Sequence, residues 1–241
     1  MRHLDLFSGI GGMSLGLEAA GMETVGFVEY DAYCQQILKQ HWPEVPLYGD
    51  IHDVKGDEFG TVDLISGGFP CQGFSFAGQR RGKEDDRYLW PEMFRLIKAI
   101  RPAWVIGENV PGIISLALDT VLSDLESEGY ATRTFVLPAV SVDAPYRRDR
   151  VWIVAYSERN RLQRRADKAA GRQKQSGKQQ LAGLLLTGAE ASVSSARTYG
   201  DRYGVSPQVD RNKALGNAVV PPLVEQIGRV IIAASTGGEE G

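Results

Sequence analysis

Short apolar runs alternate along this chain with segments patterned for helix, and each run ends in glycine, an acid or a shaped loop. Residues 3–7, 24–28, 47–48, 62–66 and 104–106 read as strands. The first is followed by Ser8-Gly9-Ile10-Gly11-Gly12 and a helical pattern carried by Met13, Leu15, Leu17 and Ala20, closed by Gly21. Asp31 is placed to cap a helix over 32–41, which Pro43 stops. A further helix over 89–100 presents Met93, Phe94, Ile97 and Ile100 on one side and ends before Pro102. Residues 116–125 read as helix, and 132–137 and 151–155 as strands. Strands alternating with helices of this length predict an α/β fold, a doubly wound, mostly parallel sheet. The alternation fails over 157–203, which is rich in Arg, Gln, Lys, Gly, Ser and Ala. It resumes at 214, ahead of a helix over 223–234. The expected organisation is a main domain over 1–156, a small irregular insert over 157–205, and a segment over 206–241 that returns to the main domain.

With 241 residues the chain can bury a full core, and 43% hydrophobic with 24% charged content is the balance of an ordinary globular protein. No apolar run is long enough to span a membrane, and the N-terminus lacks the basic region and long apolar core of a signal peptide. Two cysteines, Cys34 and Cys71, without CxxC spacing, argue against a disulfide framework or a metal site and for a reducing cytoplasm. The formal net charge of −3 hides an asymmetry. Between residues 146 and 178 there are eleven Lys or Arg against three Asp or Glu, a local +8, so the rest of the chain carries −11. A polyanion would meet a basic surface there, although a solvated basic loop reads the same way.

Three strand ends carry groups suited to a nucleoside. The glycine turn brings backbone N–H groups and a helix N-terminus close together, and it nearly matches G-x-G-x-x-G, with Ser14 at the third glycine position. Glu29 suits a ribose diol, because a carboxylate accepts from both hydroxyls, and Asp50 suits an exocyclic amine. Singly, each reads as well as a surface acid or a cap; together they favour an adenosine pocket. The fourth strand leads into Gly67-Gly68-Phe69-Pro70-Cys71-Gln72-Gly73-Phe74-Ser75, which places a thiol on a shaped loop at a strand's carboxyl end, where open α/β sheets bind ligands. From that loop alone, nucleophile and packing residue are equally good readings.

The ordered segments resemble those of the DNA cytosine-5 methyltransferase family. They are Asp5-Leu6-Phe7-Ser8-Gly9-Ile10-Gly11-Gly12, Glu29, Gly49-Asp50-Ile51, the Pro70-Cys71-Gln72 loop, Glu108-Asn109-Val110, Arg148-Asp149-Arg150 and Gly216-Asn217-Ala218-Val219. The resemblance implies a Rossmann-like fold that uses S-adenosyl-L-methionine to methylate C5 of a cytosine flipped out of double-stranded DNA. On that basis Cys71 is the nucleophile that adds to C6, with a lowered thiol pKa. Glu108 hydrogen-bonds N3 of the ring with its own pKa raised by burial, and Arg148 and Arg150 hold the base or its phosphate. The cofactor would lie against Phe7, Ser8, Gly9, Gly11, Gly12, Glu29, Tyr30, Asp50, Ile51, Pro70, Asn217 and Ala218. Gln72, Ser75 and Arg147, with Arg148 and Arg150, would contact the nucleic acid. No metal is implied. A monomer in the cytoplasm, working beside a cognate restriction endonuclease, completes the expectation.

Two departures stand out. Tyr146 occupies the place where the family usually has Gln before the Arg-x-Arg pair, and the stretch between the last large-domain strand and the terminal helix is short for a target-recognition region. A cytosine-5 methyltransferase acting on tRNA and a catalytically impaired cofactor- or DNA-binding remnant are therefore the competing readings. An NAD-dependent oxidoreductase is disfavoured by Ser14 and by the Pro-Cys-Gln loop.

Overall fold

The computed structural model describes residues 1–71, 88–138, 149–157 and 218–236. Seven strands form one sheet in the order β3-β2-β1-β4-β5-β7-β6. They are β1 (Arg2–Leu6), β2 (Glu23–Val28), β3 (Leu47–Tyr48), β4 (Leu64–Gly67), β5 (Trp104–Asn109), β6 (Tyr130–Pro138) and β7 (Asp149–Ser157). The first five pair in parallel, and β7 lies antiparallel between β5 and β6. The doubly wound, mostly parallel sheet expected from the alternation is present. Chain order reverses between β1 and β4, which makes the crevice beyond their carboxyl ends the topological switch point of the sheet.

Helices cover both faces. Leu64, Trp104, Ile106, Trp152 and Val154 point to one face, under α1 (Gly12–Ala19) and the C-terminal helix α6 (Pro221–Thr236). Leu4, Leu6, Ile65, Val105, Val151 and Ile153 point to the other. There they pack with α3 (Trp90–Ile100), the single turn α4 (Ile113–Leu116) and α5 (Leu118–Ser127). Neighbouring residues of one strand thus serve opposite layers, as the two-residue period of a strand requires. Helix α2 (Ala32–His41) has the expected bounds, and the Asp31 carboxylate accepts from the amides of Tyr33 and Cys34. The helix expected over 116–125 is present as α5, starting two residues later because Ala117 leaves the helical region at φ −148°, and the separate turn α4 precedes it. No helix among the described residues is long and apolar enough to cross a membrane.

The C-terminal helix lies directly on α1. A Cβ on Gly16 would stand 2.5 Å from the carbonyl oxygen of Pro221 and 2.5 Å from Cβ of Val224, so the absence of a side chain lets the two backbones meet. Gly16→Ala offers about 1 kcal/mol of helix propensity. The clash is with backbone, which cannot swing aside, and overpacking of this kind costs about 1–3 kcal/mol. The predicted net result is a lower urea midpoint with an unchanged m-value; a midpoint equal to or above that of the unsubstituted chain would show that α6 does not dock on α1 in this way.

Candidate active site

The glycine turn after β1 is built by unusual backbone angles. Phe7 leaves the strand at φ 54°, Gly9 follows at φ 54°, and Gly11 caps α1 at φ 84°. The strand therefore ends at Leu6 and not, as the apolar run implied, at Phe7. At Gly11 a side chain would be strained and would also run into the Trp42 ring, 2.6 Å from an added Cβ. Ser8 fastens the turn, its hydroxyl donating to the Asp5 carbonyl at 2.7 Å and its amide to the Val28 carbonyl at 3.2 Å.

Gly11 supplies no side-chain cap to α1. That service comes from the strand beneath. The Asp5 carboxylate accepts the Ser14 hydroxyl at 2.8 Å and also bonds the Ser14 amide, the third residue of the helix. Its other oxygen accepts from the Ser66 hydroxyl at 3.1 Å, and Ser66 Oγ lies 2.7 Å from Nε2 of His3. All four side chains are wholly buried. Ser66 thus bridges the His3 ring and the Asp5 carboxyl group. Burial pushes the Asp5 carboxyl up to about 7, against the hydroxyls of Ser14 and Ser66, and pushes the His3 imidazole down to about 3.

At the end of β2 the Glu29 carboxylate spans two loops. Oε2 accepts the Gly9 amide and Oε1 the Asp31 amide, both at 2.7 Å. Burial raises its pKa while these two bonds work the other way. Tyr30 beside it is 81% exposed. Asp50 caps the short turn Ile51–Asp53, accepting from the His52 amide at 2.9 Å and lying 2.6 Å from its Nδ1, which holds the Asp50 carboxyl below the usual range. Ile51 is buried, whereas Pro70 and Ala218 are partly exposed.

Strands β4 and β5 bring the reactive pair together. Gly67 pairs with Gly107, so the Cys71 loop and Glu108 leave the sheet side by side. A Cβ on Gly68 would meet Glu108 Oε2 at 3.2 Å, so the loop crosses directly over the carboxylate. Cys71 pairs with Tyr88 in an isolated antiparallel bridge, and the Leu89 amide donates to the Pro70 carbonyl at 3.2 Å. Its thiol donates to Oδ1 of Asn109 at 2.7 Å. Glu108 is 7% exposed and its Oε1 lies 2.8 Å from Nε of Arg150, which the antiparallel β5–β7 register delivers from just beyond Val151.

Cys71, Glu108 and Arg150 thus converge. One expectation is corrected: the thiol pKa is raised, not lowered, first by burial and then by the Glu108 carboxylate. Among the described residues Arg150 serves the carboxylate and not the sulfur. Arg147, Arg148, Gln72, Ser75 and Asn217 lie outside the described residues. Sequence reasoning missed Asp5, whose capping partner is in another element, and gave Asn109 no task. Only the position of Asn109 next to Glu108 hinted at one.

The strand order with its antiparallel edge, together with ligand-type loops at the switch point, defines a Rossmann-like fold with a thiol–carboxylate centre. The family described as C-5 cytosine-specific DNA methylase matches residues 1–201. This chain belongs to that family. It is 39% identical over 160 residues to the type II methyltransferase M.Eco47II of Escherichia coli, covering 63% of this chain and 38% of that one. It is 33% identical over 161 residues to the type II methyltransferase M.HhaI of Haemophilus parahaemolyticus, covering 65% and 49%. The match thus spans less than half the length of these relatives. The fold resembles that of the Dnmt2 methyltransferase of S. pombe with a TM-score of 0.60 and 21% identity, over 83% of this chain and 58% of that one.

The buried pair beneath the turn has a pH signature. The unfolded chain releases the Asp5 proton near 3.8 and the folded chain near 7. Its contribution to stability is present below pH 3.8 and is lost as pH rises through 7. His3 runs the other way: its folded pKa is about 3 against 6.5 unfolded, so stability is lost as pH falls from 6.5. Between 3.8 and 6.5 the two slopes oppose each other, each about 1.4 kcal/mol per pH unit at most. Asp5→Asn removes only the first. Relative to the unsubstituted chain, its unfolding free energy should therefore worsen steadily as pH falls from 7 to 3.8, measured by urea titration. A difference independent of pH would contradict the protonation assigned to Asp5.

Proposed function

We propose that this protein transfers a methyl group from S-adenosyl-L-methionine to C5 of cytosine in double-stranded DNA, through a covalent bond between Cys71 and C6 of a flipped base. The observation that carries this reading is the convergence of a thiol and a buried carboxylate on adjacent strand ends, the thiol bonded to Asn109, the residue after Glu108, and both lying beside the glycine turn of β1.

The chain's own residues suit the cofactor. A Cβ at Gly9 would find nothing within 4 Å, so the turn leaves room above it. Asp5 takes the Ser14 amide from within the sheet, and the amides ahead of it at the start of α1 are the donors a carboxylate would meet. Glu29 is anchored by the amides of Gly9 and Asp31, one on each oxygen, and by that of Tyr30, and the carboxylate still has lone-pair capacity for a ribose hydroxyl. Asp50, with its side chain 44% exposed, would take the adenine amine, and Phe7, Tyr30 and Ile51 would supply apolar contact. When bound, the sulfonium supplies an electrophilic methyl group.

C5 of cytosine is a weak nucleophile. Cys71 as thiolate adds to C6 and pushes electron density onto C5. Glu108, as the protonated acid, donates to N3 as charge builds there, and Arg150 holds its carboxyl group in place. After transfer the C5 proton is lost to water and the C6–S bond breaks, restoring aromaticity. Flipping the base costs a few kcal/mol, which contacts of Arg147, Arg148, Gln72 and Ser75 with the nucleic acid would offset. The type II names of the relatives support a cognate restriction endonuclease as functional partner; a cytoplasmic monomer is part of the same proposal.

Cys71→Ala should reduce labelled methyl transfer to duplex DNA to background while calorimetry shows cofactor binding intact. Undiminished transfer by this variant would exclude the mechanism, and preferential labelling of tRNA in competition would change the substrate. Glu29→Ala, which removes charge-assisted hydrogen bonds, should weaken cofactor binding about 10–100-fold by the same calorimetry; unchanged affinity would remove Glu29 from the cofactor site.

A further inference from the structure

Asn109 closes β5 one residue after Glu108 and is 4% exposed. Both ends of its amide are engaged. Nδ2 donates to the Phe69 carbonyl at 2.9 Å, and Oδ1 accepts the Val110 amide at 3.0 Å while standing 2.7 Å from Sγ of Cys71. The two backbone partners permit one orientation. A half-turn of the amide would set nitrogen against an N–H and oxygen against a carbonyl. The atom shown to the sulfur is therefore an acceptor, and only a protonated sulfur can use it.

We propose that Asn109 is a positioning residue that holds Cys71 as the neutral thiol in the resting protein, so that the thiolate forms only when the Cys71 side chain turns away from β5. This rests on Cys71 being the nucleophile of the reading above.

The surroundings agree. Burial opposes the thiolate, as does the Glu108 carboxylate, itself bound to Arg150; a bond donated by Asn109 would work the other way and lower the thiol pKa, but the Phe69 and Val110 partners turn the amide oxygen, not its nitrogen, to the sulfur. Tyr88, which pairs with Cys71 across the base of the loop, has its phenol pushed up to about 12, chiefly by burial, and stays neutral. A hydrogen bond to sulfur favours the thiolate when the partner donates; an amide oxygen reverses that effect. The nucleophile is thereby shielded from alkylation and oxidation between turnovers, because the thiolate is the reactive form.

The test is the rate of alkylation of Cys71 by iodoacetamide as a function of pH, in the full chain without cofactor or DNA. Mass spectrometry reads the Cys71 peptide, and the Cys34 peptide, buried at 7% exposure, reports loss of fold. Asn109→Ala removes the acceptor and should lower the titration midpoint by about one unit, a roughly tenfold faster reaction at neutral pH. Asn109→Asp retains an acceptor, adds negative charge, and should move the midpoint up and slow the reaction. Opposite shifts, with Cys34 silent in both variants, are the expected result. A merely loosened loop would accelerate both. Both variants faster, both unchanged, an upward shift in the alanine variant, or Cys34 labelling at the rate of Cys71 would overturn the proposal. No methyl transfer is read, so the outcome stands apart from any failure of Cys71→Ala to abolish activity.

Discussion

Parallel pairing of β1, β4 and β5 in near-common register is the constraint from which the site follows. Leu6 pairs with Gly67, and Gly67 with Gly107, so three chains leave the sheet at one edge and one level. The first makes the glycine turn, the second the Cys71 loop, and the third presents Glu108 and Asn109. At this edge the packing is tight: a Cβ on Gly67 would meet the Leu6 carbonyl, the Met93 sulfur and the Phe7 ring, all within 3.1–3.3 Å. The antiparallel β7 then adds Arg150 from the opposite direction, which no parallel strand could do without a further crossover.

Around that edge the protein buries charge sparingly and ties down what it buries. Glu108 has Arg150, Glu29 has three amides, and Asp5 has two hydroxyls and an amide. The Asp5 cluster couples β1, β4 and α1 below the turn, so the backbone that would meet a ligand rests on a polar layer instead of on loose side chains. Asn109 performs the same service for the Cys71 loop, from β5. Hydrogen bonding fixes the geometry here, and burial sets the protonation states.

Much of this could be read from residue order because the signals are local. Asp31 two and three residues before the amides it caps, Pro43 after the second helix and the glycines after β1 each act within a few positions. What escaped reading depends on partners far along the chain. His3 and Asp5 alternate with Leu4 and Leu6 in a run read only as a short apolar strand, yet they bond Ser66 and Ser14. Asn109 reaches Phe69 and Cys71 across 38–40 residues of sequence. The resemblance implied a lowered thiol pKa with Arg148 and Arg150 close to the reacting base, but the described Arg150 turns to Glu108. Phe7 looked like one more strand residue until its φ of 54° showed the strand already over.

The central claim is that sulfur 71 forms a bond to C6 of a cytosine in DNA. A duplex carrying 5-fluorocytosine tests it directly, since fluorine cannot leave C5 as a proton does and the adduct persists after methyl transfer. With S-adenosyl-L-methionine present, the account predicts a denaturation-resistant protein–DNA complex whose cross-linked peptide contains Cys71. A duplex that yields no such complex under conditions where unmodified DNA is methylated, or a cross-link at any other residue, would contradict it.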